Sequence, residues 1–216
     1  MAALCACRQQ PNPAPASREF PAKEASKPAA VADARPAIAC FGDSLTAGFG
    51  VDTGKSFPDL LQQELNRRGY HYRVINFGVS GDTSQDGLAR IGLVLAEKPA
   101  IVILEFGGND GLRGFPIAVT KSNLAGMLEA IRNSGAREVL AGITLPPNYG
   151  AEYISKFEAM YRDLAAKYQA TLIPFLLEGV AGNSRLMQRD GLHPTAEGTQ
   201  VVARTVWGVL EPLMKR

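Results

Sequence analysis

Histidine is scarce in this chain: among 216 residues only His71 and His193 occur. A dinuclear phosphoesterase centre needs several imidazoles beside its carboxylates, so the echo of that class in "GD" and "GND" fails by ligand count. Cysteine is scarce too, and Cys5, Cys7 and Cys40 make no disulfide framework. Cys40 lies inside an apolar run and reads as a small buried hydrophobe, while Cys5 and Cys7 lack a nearby histidine to complete a metal site. No metal or other cofactor is expected. No stretch reaches the roughly 18 consecutive apolar residues that span a bilayer. The formal charge of +2 is spread along the sequence without a basic stripe or interleaved aromatics, so nucleic acid is not expected as a partner. A Walker A loop is missing as well. "GVDTGKS" (Gly50–Ser56) has the closing Gly-Lys-Ser, but the spacing requires a glycine where Phe49 stands.

What is present, 46% hydrophobic and 20% charged side chains, has the makings of one globular domain with a real core. Residues 1–36 read as a separate tail. From Cys7 to Pro36 the chain is rich in Pro, Ala and charge and poor in large apolar residues, so it cannot offset its ordering entropy and is expected to be a flexible linker. Ahead of it, Leu4-Cys5-Ala6-Cys7 resembles the lipobox of bacterial lipoproteins. The basic leader and an apolar segment of roughly 7–15 residues are missing, which a leader truncated by a late start codon would explain. Two expectations stand: a membrane tether through Cys7 with a periplasmic or membrane-bound location, or an uninformative N-terminus and a cytoplasmic one.

Residues 37–216 form the domain. "AIACF" (Ala37–Phe41), "YRVINF" (Tyr72–Phe77), "AIVILEF" (Ala100–Phe106), "REVLAGI" (Arg137–Ile143) and "TLIPF" (Thr171–Phe175) have the length and branching of strands. Helical periodicity fills the gaps: Phe57, Leu60, Leu61 and Leu65; Leu88, Ile91 and Leu95; Leu124, Met127, Leu128 and Ile131; Ile154 through Tyr168. A last helix is expected from Thr195, a good N-cap, to Leu213. Such alternation predicts an α/β fold, a parallel sheet between two helical layers, with chemistry beyond the carboxyl ends of the strands. There the loops "GDSLTAG", "GVSGDTS" and "GGNDGLRG" meet at one edge.

Ser44, at the end of the first strand, is a weak nucleophile without a base. His193 in "RDGLHPT" is a candidate base, with Asp190 three residues before it to orient the ring. His71 precedes the second strand and falls at the wrong edge of the sheet. An ordinary loop whose Asp190 helps cap the last helix competes with that reading, and the residues alone leave both open. Ser44 is not in a Gly-x-Ser-x-Gly elbow, because Thr46 stands where the second glycine belongs. Asp43 and Asp110 are candidates for extra acids, though only one base is needed, and Ser80, Asp82, Thr83 and Ser84 read as a turn and helix cap.

The blocks "FGDSLTAG", "GVSGDTSQDG", "GGND" and "DGLHP", in this order, are similar to those of the SGNH hydrolases, or GDSL esterases and lipases. "SGDTSQ", "GGNDGLRG" and "LPPNYG" resemble the bacterial thioesterase I / lysophospholipase L1 / arylesterase branch. The resemblance runs from Ala37 to the C-terminus. It implies a flavodoxin-like three-layer α/β/α sandwich with a central five-stranded parallel sheet. It implies a catalytic triad of Ser44, His193 and Asp190. The oxyanion would be held by the Ser44 and Gly81 backbone N–H groups and the Asn109 side-chain amide, a donor at any working pH. Gly81 is expected because a side chain would obstruct the approach of substrate. Apolar residues on the loops "DGLRGFP" and "ITLPPNYG" suggest an acyl-chain groove formed by Leu112, Phe115, Leu145 and Tyr149. The implied activity is hydrolysis of carboxylic esters or thioesters of acyl chains by a monomer, acting on a small-molecule substrate. A carbohydrate O-acetylesterase and a non-catalytic tethered binding module are the alternatives.

Overall fold

Each apolar run forms a strand, and each amphipathic stretch a helix, in a computed structural model that describes residues 33–215. In chain order they are β1 (Ala37–Gly42), α1 (Ser44–Ala47), α2 (Phe57–Arg68), β2 (Arg73–Gly78), α3 (Ser84–Ala96), β3 (Ile101–Glu105), α4 (Gly108–Leu112), α5 (Ile117–Asn133), β4 (Arg137–Ala141), α6 (Ala151–Tyr168), β5 (Thr171–Ile173) and α7 (Ala196–Leu210). The five strands form one parallel sheet in the order β2-β1-β3-β4-β5. The helices cover it in two layers, α2 packing on α7 and α5 packing on both α3 and α6. This is the doubly wound α/β/α sandwich that the strand–helix alternation predicts.

The strand order decides where a site can form. After β1 the chain turns outward to β2, then crosses back to place β3 on the other side of β1, so loops diverge from the carboxyl ends of β1 and β3 and leave a crevice. Both strands are buried along their whole length. Burial on both faces explains their nearly unbroken apolar sequences. Phe41 and Phe106 meet edge to face at 4.8 Å beneath the crevice. Cys40 is fully buried in the same core, where burial pushes its thiol far up and leaves it inert.

The helix starts are built as the sequence pattern suggests. Ser56 and Asp59 cap α2 reciprocally, Thr83 and Asp86 do the same for α3, and Thr195 accepts the Gly198 N–H at the start of α7. Three boundaries differ from expectation by two or more residues. β5 ends at Ile173 because Pro174 has no N–H to continue the ladder. β4 stops at Ala141, two residues short of Ile143, and Gly142 then donates to the Ile173 carbonyl. Pro212 ends α7 at Leu210, and Glu211–Leu213 tightens into a 3₁₀ turn.

The tail expected through Pro36 gives way to the domain slightly earlier. Arg35 donates to the Tyr72 carbonyl at 3.2 Å, and the Pro36 carbonyl accepts from the Arg73 N–H at 3.0 Å, extending the β1–β2 pairing backward. The expectations for residues 1–32, the lipobox-like Cys7 among them, lie outside the described residues.

Candidate active site

The turn after β1 aims a hydroxyl into the crevice. Asp43 leaves the strand and caps α1, its Oδ1 accepting the Leu45 N–H at 3.1 Å, so that Ser44 becomes the first residue of a four-residue helix. The short element has one mechanical consequence: Ser44 stands at the rim while its neighbours Asp43 and Thr46 are buried.

The loop between β5 and α7 brings the imidazole to it. Asp190 Oδ1 accepts the backbone N–H groups of Leu192 and His193 at 2.9 and 3.0 Å, which curls the chain so that the ring faces its own carboxylate. Asp190 Oδ2 then lies 2.7 Å from His193 Nδ1, and His193 Nε2 lies 2.8 Å from Ser44 Oγ. Asp190 therefore serves His193, and the helix cap is left to Thr195. Partial burial works against the Asp190 charge, but hydrogen bonds from the His193 ring and the two backbone amides outweigh it and hold the carboxyl below its ordinary value. An acceptor that stays ionised fixes a proton on Nδ1 and leaves Nε2 free to accept. His71 is exposed just ahead of β2, at the opposite end of the sheet.

Donors converge from the other two loops. The Ser44 and Gly81 backbone N–H groups find no partner among the described residues, and both residues line the cavity with Asn109. Gly81 has φ +90°, and a Cβ there would meet nothing within 4 Å of protein. The backbone conformation favours glycine here, and no protein atom fills the space beside it. Asn109 Nδ2 gives one hydrogen to Asp43 Oδ2 at 3.1 Å and one to the Asp82 carbonyl at 2.9 Å.

Below these groups lie features the sequence reading passed over. Glu105, the last residue of β3, is wholly buried, and its Oε2 accepts from the Asp43 N–H at 3.2 Å and the Thr46 hydroxyl at 2.8 Å. Burial pushes the Asp43 carboxyl up to about 6 despite hydrogen bonds from the Leu45 N–H and Asn109 and the pull of His193. Burial, and then the Asp43 charge, push Glu105 well above the usual carboxylate range. Arg90 of α3 ties three loop roots together, donating to the Gly42 carbonyl at 2.9 Å, the Phe77 carbonyl at 2.8 Å and the Asp82 carboxylate at 2.7 Å. A polar residue closing the otherwise apolar run "AIVILEF" was the available signal for Glu105.

A cavity of about 630 Å³ opens beside Ser44. Leu112, Ile143, Leu145, Phe175, Leu177 and Met187 give it an apolar wall. Leu112 and Leu145 are thus where the acyl groove was expected, and Phe115 and Tyr149 are not. Tyr149 turns its hydroxyl to the Leu112 carbonyl at 2.8 Å, which ties it to a residue of the wall, and the Phe115 carbonyl accepts from Tyr153 at 2.9 Å. Phe49 is 49% exposed and lies against the His193 ring with centroids 4.5 Å apart. Gln188 joins the two loops, its Nε2 donating to the Phe49 and Pro194 carbonyls at 2.8 and 2.9 Å.

The model of the GDSL-like lipase/acylhydrolase family matches residues 40–201. The chain belongs to this family. Among GDSL-like relatives, esterase TesA of Pseudomonas aeruginosa is 48% identical over 174 residues, covering 80% of this chain and 87% of that one. Thioesterase 1/protease 1/lysophospholipase L1 of Escherichia coli is 37% identical over 184 residues, covering 85% and 87%. A crystal structure of TesA superposes with a TM-score of 0.80 at 47% identity, over 82% of this chain and 99% of that one. This GDSL-like domain therefore has the three-layer fold of its relatives in full, with the matched segment holding Ser44, Gly81, Asn109, Asp190 and His193.

Proposed function

We propose that this chain is a serine esterase that hydrolyses carboxylic esters or thioesters of acyl chains through an acyl-enzyme. The observation that carries the reading is the continuous relay from Asp190 Oδ2 through His193 to Ser44 Oγ, 2.7 and 2.8 Å long, at the mouth of an apolar cavity. The names of its relatives, an esterase and a thioesterase/lysophospholipase, support the same class of substrate.

The reaction follows from the roles these groups are placed to take. His193 Nε2 accepts the Ser44 proton as Oγ attacks the acyl carbonyl, and Asp190 stabilises the imidazolium that forms. The carbonyl oxygen becomes an oxyanion facing the free N–H groups of Ser44 and Gly81. Asn109 completes the hole by turning to it the hydrogen it otherwise gives to the Asp82 carbonyl, while Asp43 keeps its hold on the other. Each donor of this kind is worth roughly 3–4 kcal/mol of barrier. His193 then protonates the departing alcohol or thiol, and water repeats the sequence on the acyl-enzyme. These steps draw on side chains and backbone alone. The acyl chain lies along Leu112 and Leu145.

Hydrolysis of p-nitrophenyl esters from acetyl to palmitoyl, and of an acyl-thioester, by wild type and Ser44→Ala tests the reading. Turnover by wild type, greater for chains longer than acetyl and lost in the variant, is expected. Equal turnover by Ser44→Ala would overturn it.

A further inference from the structure

Glu105 has no place in the relay from Asp190 to Ser44, yet it fills the space directly beneath the turn that carries the nucleophile. Two carboxyl groups meet there without compensation. Asp43 and Glu105 are 2% and 0% exposed and within hydrogen-bonding reach of one another, and among the described residues neither is in an ion pair. Arg90 on α3, which ties the adjoining loop roots together, commits its guanidinium to the Gly42 and Phe77 carbonyls and to Asp82. The other titratable groups facing the pair are His193 on the β5–α7 loop, Asp110 on α4 and Tyr161 on α6, and Tyr161 gives its hydroxyl hydrogen to the Phe106 carbonyl at 2.9 Å. Two negative charges in contact in a dry site repel strongly, so such pairs retain one proton between them.

The hydrogen bonds indicate where that proton resides. Asp43 is the acceptor for two donors, the Leu45 N–H through Oδ1 and the Asn109 amide through Oδ2. Glu105 Oε2 accepts from Asp43 N–H and Thr46, but Glu105 Oε1 is buried and receives nothing. A protonated acid has this appearance: one oxygen accepts hydrogen bonds, and the other, carrying the hydrogen, receives none.

We propose that Glu105 is a positioning residue for the reaction: it remains a neutral carboxylic acid and donates to Asp43, leaving Asp43 one negative charge with which to hold Asn109 and the Ser44 turn in register. The proposal rests on the acyl-hydrolase reading given above. Without the Glu105 proton, Asp43 would either be repelled or take up a proton itself. In either case its grip on the Asn109 amide weakens, and the oxyanion donor drifts while the apolar wall that binds the acyl chain is untouched. The effect belongs in kcat and not in KM.

The test uses the full chain as wild type, Glu105→Gln, Glu105→Ala and Ser44→Ala, with p-nitrophenyl butyrate as substrate, from mildly acid to alkaline pH. Gln copies the neutral acid, since its carbonyl accepts where Oε2 does and its NH2 donates to Asp43. Glu105→Gln is expected to keep kcat within about threefold of wild type at neutral pH, with its alkaline limb moved to higher pH because no proton remains to be lost. Glu105→Ala is expected to lower kcat by about tenfold or more while KM changes by less than about twofold. A residue that only filled space would leave the pH profile where it is. Infrared difference spectra read the proton without turnover: the carbonyl stretch of a protonated carboxylic acid is expected at neutral pH in wild type and Ser44→Ala, and not in Glu105→Gln. A missing band in wild type, an unmoved pH profile, or a Gln variant as impaired as a folded Ala variant would overturn the proposal. Failure of the hydrolase reading looks different, as no turnover by wild type with the band in place.

Discussion

Gly42 and Glu105 are register partners at the carboxyl ends of neighbouring parallel strands, and the glycine leaves open the volume that the Glu105 carboxyl fills. A Cβ on Gly42 would overlap the Thr46 hydroxyl, the Glu105 carboxylate and the Glu105 backbone carbonyl. The Gly-Asp-Ser turn is therefore shaped from below as much as by its own residues. Gly42→Ala is expected to lose about 1–3 kcal/mol of stability through overpacking. It is also expected to lose activity even at temperatures where it is folded. Denaturant unfolding, with circular dichroism at the assay temperature, checks both.

Glu105 also makes stability depend on pH, with a definite sign. Its native carboxyl is held well above the ordinary value near 4.5, so above that pH the unfolded chain gives up a proton that the native state keeps. Stability then falls as pH rises, by about 1.4 kcal/mol per pH unit, until the native group itself ionises. Glu105→Gln has no such proton, so its stability relative to wild type should rise steadily from mildly acid to neutral pH. Melting temperatures of the two proteins across that range measure the difference, and a constant offset would contradict it.

Asp190 acts in the opposite direction. Its carboxyl is held below its ordinary value, so the stability it contributes is present above the usual carboxylate range and is lost as pH falls through the lowered native value. Its larger effect is on catalysis. Asp190→Asn replaces the acceptor at Oδ1 or Oδ2 with a donor and no longer enforces the useful tautomer of His193, so kcat should fall by roughly 10²–10⁴ with KM little changed. Steady-state kinetics on a short-chain ester checks it.

The two halves of the expected acyl groove should separate under mutation. Leu145→Ala and Leu112→Ala remove cavity wall and should lower kcat/KM for long acyl chains by about tenfold or more relative to acetyl. Phe115 and Tyr149 are not among the cavity-lining residues, so Phe115→Ala and Tyr149→Phe should leave that chain-length ratio unchanged. Competition between butyryl and longer p-nitrophenyl esters gives the ratio directly.

That contrast also marks how far the sequence could be read. The five strands were legible because apolar runs of branched residues have few other uses, and the site edge followed because strand–helix alternation admits essentially one handedness of winding. The spacing of Asp190 and His193 allowed them to be a pair but equally allowed Asp190 to cap the last helix, and the family resemblance rather than the spacing implied the triad. Phe115 and Tyr149 do not line the cavity, because in an irregular loop no period fixes the direction of a side chain, and the Tyr149 hydroxyl bonds the Leu112 carbonyl. Glu105 escaped notice because a strand read for its apolar run hides the one carboxyl at its end. The tilted contact of Phe49 with the His193 ring joins residues more than half the chain apart, which local pattern does not carry.

The central claim is that Ser44 becomes acylated, and trapping the intermediate tests it most directly. Turnover of p-nitrophenyl butyrate is quenched with acid within the first turnovers, the protein is digested, and the peptides are weighed. A butyryl group on the peptide carrying Ser44, lost in Ser44→Ala and in His193→Ala, is the predicted result. Turnover with no acyl group on Ser44, or with the acyl group on another residue, would contradict the account.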